Sequence, residues 1–109
     1  MKLPVYAQGL TKNLELQNTC EEVFLGEMDA DEVLNILSQL HRPEDYEYWD
    51  CGITLTVART DQEFLIITFN APNSFTVVEN TVEDQKFIGD SMTFQEMDKI
   101  LRDYIESTL

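Results

Sequence analysis

Residues 53–69 read ITLTVARTDQEFLIITF, and this stretch decides the fold. Ile53, Leu55 and Val57 alternate with Thr54 and Thr56, the period-2 pattern of a half-buried strand. Phe64 to Phe69 is rich in β-branched and aromatic residues and nearly continuous, which predicts a central strand covered on both faces. The four residues between them, Arg59-Thr60-Asp61-Gln62, have the length of a hairpin loop. Two strands and a tight link begin an antiparallel meander.

Downstream, Asn70-Ala71-Pro72-Asn73 reads as a second turn, leading into Phe75-Thr76-Val77-Val78. A further run from Gln85 to Ile88 is expected to pair next, and Gly89-Asp90-Ser91 to turn into a last helix. That helix is predicted over about 93–107. Thr93 and Glu96 have capping-box spacing. Met97, Ile100, Leu101, Tyr104 and Ile105 fall at helical spacing on one face, a stripe read as core. Asp98, Lys99, Arg102, Asp103 and Glu106 lie opposite.

Upstream, a helix is predicted over about 30–41. Asp29 and Glu32 can form a second capping box, and Val33, Leu34, Leu37 and Leu40 share a face. Pro43 disfavours helix at Arg42, which places the stop near His41, where a histidine can serve the helix dipole. Residues 3–7, 12–17 and 21–26 are each short enough to be strands. The expected fold class is α+β: a single domain over 1–109, an antiparallel β-meander with both helices packed on one face.

At 109 residues and 43% hydrophobic, the chain can bury a core. No apolar run approaches the roughly 18–20 residues that span a bilayer. Pro4, Gln8 and Gly9 interrupt the N-terminus, so no signal peptide is read there and the expected location is cytoplasmic. Cys20 and Cys51 are accordingly expected as reduced thiols. With His41 as the single histidine, a Cys/His zinc site lacks its four ligands, and no cofactor or metal is expected.

The net charge is −14. It argues against direct binding of nucleic acid, whose phosphates require Lys and Arg, and against an anionic membrane. It favours solubility and steering toward a basic partner. The charge is uneven: residues 1–20 carry +1, 21–50 carry −9, 51–78 carry −1 and 79–109 carry −5.

The acidic segment ends in EDYEYWD, residues 44–50, with four carboxylates and three aromatic rings. Two readings compete. In one, Trp49 and a tyrosine plug the gap between helix and sheet while the acids face water. In the other, rings and acids form an interface, because Tyr and Trp anchor binding surfaces and carboxylates bond a partner's Arg or Lys. The candidate contacts are Glu44, Asp45, Tyr46, Glu47, Tyr48, Trp49 and Asp50, with Asp31 and Glu32 of the first helix as a rim.

Catalytic patterns are weak. There is no GxSxG elbow, Gly-rich phosphate loop or HExxH. His41 before Arg42-Pro43 is not placed by sequence beside a nucleophile. Asp29-Ala30-Asp31 matches the start of an EF-hand loop, but Val33 and Leu40 stand where ligands are needed. A carboxylate pair for acid/base work is available from twenty-one acids, with no spacing to single one out. No catalytic residue is assigned, and the expectation is a non-enzyme.

Element order and acidity over residues 28–109, with one helix ending near Arg42-Pro43, a meander through 53–88 and the capped helix SMTFQEMDKILRDYIESTL, resemble bacterial immunity proteins. The likeness is to those that neutralise polymorphic or contact-dependent toxins, in particular the first immunity family with its α+β fold. The chain stops soon after the last helix, without the Trp-containing tail of that family. The resemblance implies a cytoplasmic toxin inhibitor whose partner is a basic toxin domain, blocked without turnover. A secretion chaperone, a phage-encoded inhibitor or nucleic-acid mimic, and a small carboxylate-based enzyme are the alternatives.

Overall fold

A computed structural model describes residues 1–107. The last two positions of the 1–109 domain and of the 28–109 resemblance lie outside the described residues. The fold is α+β. Six strands form one antiparallel sheet: β1 (Leu3–Gln8), β2 (Val23–Met28), β3 (Ile53–Ala58), β4 (Phe64–Ala71), β5 (Ser74–Asn80) and β6 (Gln85–Met92). Their spatial order is β2-β1-β3-β4-β5-β6. Helix α1 (Ala30–Gln39) connects β2 to β3, and α2 (Phe94–Glu106) follows β6. No helix among the described residues is long and apolar enough to cross a membrane.

Alternation along the strands turns Leu3, Val5, Ala7, Ile53, Leu55, Val57, Leu65, Ile67, Phe69, Phe75 and Val77 to one face. Both helices cover that face. From α1 come Ala30, Val33, Leu34, Ile36 and Leu37; from α2 come Met97, Leu101, Tyr104 and Ile105. Among the described residues no polar or charged residue is buried. Both capping boxes form. Asp29 accepts from the Glu32 N–H at 2.9 Å, and Thr93 from the Glu96 N–H at 3.1 Å, and each glutamate returns a bond to its cap's N–H. Asn73, in the left-handed region at φ 61°, closes the β4–β5 hairpin and also accepts from Phe94 N–H at 2.8 Å, joining that turn to the start of α2.

The structure corrects five sequence expectations. Strand β4 is covered on one face only. Leu65, Ile67 and Phe69 are buried while Phe64, Ile66 and Thr68 are half-exposed on an uncovered face. The continuous apolar run is therefore two different surfaces.

Residues 12–17 are not a strand. Thr11 closes a turn there: its hydroxyl accepts from Asn13 and Glu15 N–H, each at 3.2 Å, and its carbonyl from Leu14 N–H at 2.9 Å. Leu14 is left exposed at φ 66°. Helix α1 stops at Gln39, with Leu40 already extended, so the exposed His41 lies past the helix and its last turn has no basic residue.

Gly89-Asp90-Ser91 is part of β6 rather than a turn. The strand there is bulged, with Ser91 at φ 52°, and Asp90 accepts from the Thr76 hydroxyl at 2.6 Å. Finally, Cys20 and Cys51 are not separate thiols: they form a disulfide, with Cα atoms 5.3 Å apart. It ties the β1–β2 connection to the entrance of β3. Sequence spacing carried no sign of this, because the two segments meet only once β1 pairs with β3.

Candidate functional site

The segment from Arg42 to Cys51 crosses from the end of α1 to the start of β3. A 3-10 turn, Tyr46–Tyr48, forms its middle. Tyr46 N–H donates to the Pro43 carbonyl at 3.1 Å, and Trp49 N–H to the Tyr46 carbonyl at 3.1 Å.

Tyr46 is its anchor. The hydroxyl accepts from Ile53 N–H at 2.7 Å and donates to the Phe69 carbonyl at 2.8 Å, so one side chain bridges the ends of β3 and β4. Its ring meets Trp49 edge-on at 5.2 Å, and the Arg42 guanidinium stands 4.9 Å above it. Arg42 also donates to the Asn70 carbonyl at 2.8 Å. At the far end Asp50 N–H donates to Asn18 Oδ1 at 3.2 Å, and the disulfide follows at the next residue. The segment is thus held at both ends and in the middle.

The three rings divide. Tyr46 and Trp49 are half-buried and pack against the core. Tyr48 points out and is 78% exposed. Glu44, Asp45, Glu47 and Asp50 are all exposed, and none joins an ion pair among the described residues. Two rings therefore plug the gap between helix and sheet, while one ring and four acids face water.

Asp31 and Glu32 are not brought to this segment. They sit in the first turn of α1, and a ten-residue helix separates the two ends by about 15 Å. Both are engaged internally. Arg102 of α2 donates to Asp31 at 3.0 Å and to Asp98 at 3.2 Å, and Lys2 lies 3.0 Å from Glu32. Hydrogen bonding to these carboxylates raises the proton affinity of Arg102 and Lys2.

A second feature was missed at the sequence level. The uncovered sheet face carries a groove of about 660 Å³ over β1, β3 and β4, lined in part by Tyr6, Thr54, Thr56, Phe64 and Ile66. Strand register, which the sequence does not display, creates it. Elsewhere, no group of three or more His, Cys, Asp or Glu among the described residues is placed to hold a metal ion. The Tyr104 phenol is pushed up to about 12, mainly by burial, and the Arg59 guanidinium lies 3.8 Å over its ring. Tyr104 is buried on the sheet-facing side of α2 and does not itself line the groove, although Arg59 does. No protein-family model, curated protein or solved structure matches this chain.

Proposed function

We propose that this chain is a non-catalytic binding protein for a basic protein, and in its most specific form an immunity protein. It would neutralise a cognate toxin domain by occluding its active or substrate-binding surface. One observation carries the reading: Tyr48 and the four carboxylates of Glu44, Asp45, Glu47 and Asp50 face solvent from a segment fixed by Tyr46, Asn18 and the disulfide. Acids that are already positioned lose little conformational freedom on binding, so more of their attraction to Lys or Arg reaches the complex. The net charge of −14 adds long-range capture of a cationic partner.

The cytoplasmic location expected from the sequence loses one support with the Cys20–Cys51 bond, since such bonds persist mainly in oxidising compartments. A basic partner fits either compartment.

The test is affinity capture with tagged protein at low and high salt, using wild type and a variant carrying Glu44→Gln, Asp45→Asn, Glu47→Gln and Asp50→Asn. A single stoichiometric basic protein, lost in the variant and at high salt, is the expected result. Equal recovery by the variant would overturn the assignment of segment 44–50.

A further inference from the structure

The register of the sheet aligns one residue from every strand in a single row on the uncovered face. Phe24 lies opposite Tyr6, Tyr6 opposite Thr56, Thr56 opposite Ile66, Ile66 opposite Val78, and Val78 opposite Phe87. Five inter-strand steps make this row about 24 Å long. Five of its six members are apolar or aromatic. Tyr6 and Phe24 are in contact, with ring centroids 5.2 Å apart. Phe24 is 50% exposed and Phe87 65% exposed, one on each edge strand. The neighbouring row, Gln8, Thr54, Thr68 and Thr76, is polar.

A solvated face of an antiparallel sheet ordinarily alternates to polar residues. Here the middle row does not, although both helices lie on the other side. Cross-strand contact accounts for the inner members, which steady the sheet. It does not account for two exposed phenylalanines at the outer strands, where edges are usually protected by charge.

Charge around the row selects the occupant. Glu27 lies opposite Pro4 on this face, Asp90 bonds Thr76 here, and Glu22 and Asp61 line the groove. Arg59 also lines the groove, but its guanidinium is engaged by α2, donating to the Tyr104 carbonyl at 2.8 Å and the Ser107 hydroxyl at 3.0 Å, which leaves the acids in excess there. A second copy would bring two chains of charge −14 together, and an anionic bilayer is repelled for the same reason.

We infer that the uncovered sheet face docks a basic amphipathic segment of a partner protein, apolar side chains along the row and Lys or Arg on the flanking acids. The inference rests on the reading that the partner is basic, but it uses a different face from segment 44–50, so the two fail separately.

The probe is a synthetic helical peptide of about eighteen residues, long enough to span the row, with Leu on one face and Lys on the other. It is titrated into the full chain and followed by backbone amide shifts. A scrambled peptide of the same composition and a Leu/Glu version are the controls. The expected result is shifts along the row, with binding about tenfold tighter than the scrambled peptide and none by the Leu/Glu version. The Phe24→Ser/Phe87→Ser variant should lose that advantage without a change in Tm. If it melts early, Val78→Thr keeps a β-branched side chain and should weaken binding in the same direction.

Equal binding of the scrambled or Leu/Glu peptide would overturn the inference. So would concentration-dependent shifts along the row without peptide, which identify a second copy as the occupant. Shifts at 44–50 in place of the row also overturn it and leave the acidic segment's role intact. Shifts along the row with none at 44–50 support it and count against that role.

Discussion

Tyr46 donates its hydroxyl hydrogen to the Phe69 carbonyl at 2.8 Å, across twenty-three positions of chain. The same oxygen accepts from Ile53 N–H, at a fully buried residue. This side chain joins the acidic segment to the two central strands. Tyr46→Phe keeps the ring but strands a buried donor and an acceptor, at a cost of about 1–3 kcal/mol. Denaturant unfolding should show the loss, and amide exchange at Ile53 should accelerate. Unchanged exchange at Ile53 would mean that Tyr46 does not anchor the segment.

Trp49 and Tyr48 should behave oppositely. Trp49 packs half-buried against Tyr46, so Trp49→Ala should lower stability by about 2 kcal/mol. Tyr48 touches little, so Tyr48→Ala should leave stability within about 0.5 kcal/mol. On the binding reading, Tyr48→Ala should weaken partner affinity while preserving Tm. Paired thermal melts and affinity measurements check both. A fall in Tm for Tyr48→Ala would reverse the assignment.

Much of this was legible in sequence, and what was not has physical causes. Capping boxes are local, so Asp29/Glu32 and Thr93/Glu96 could be read directly and formed as expected. Strand existence in 53–78 followed from period and β-branching. The pairing of β1 with β3 is non-local, and with it went the disulfide and the cross-sheet row. Ile66 looked like core because apolar composition does not say which face is covered. Residues 44–50 were identifiable as a mixed acidic and aromatic segment, but the direction of each ring depended on Tyr46 finding Phe69. Asp31 and Glu32 were grouped with it by charge alone, and the length of α1 keeps them apart.

The disulfide closes a loop of 31 residues, for which the chain-entropy account gives a stabilisation of roughly 3–4 kcal/mol. Cys20→Ser should lower the denaturation midpoint accordingly and speed exchange at the Asp50 amide, which donates to Asn18 beside the bond. A reducing agent should reproduce both effects in wild type and do nothing further to the variant.

The capping glutamate of α2 sets a pH dependence. Hydrogen bonds from the Thr93 backbone N–H, then from its hydroxyl, hold the Glu96 carboxyl below its ordinary value. A carboxyl with a depressed folded-state pKa contributes stability above its unfolded value and loses it as pH falls through the folded one. Glu96→Ala should therefore melt below wild type at pH 7, and the gap should close as the pH drops below about 4. A gap independent of pH would remove the ionised carboxylate from the cap.

Binding through the acidic segment is tested by the association rate of the recovered partner as salt is raised, for wild type and for the variant neutralised at 44, 45, 47 and 50. Attraction between exposed charges is screened within about 8 Å at physiological ionic strength. Wild-type association should slow steeply with salt while dissociation changes little, and the variant should lose most of that slope. Association independent of salt, or an unchanged slope in the variant, would contradict binding through that segment.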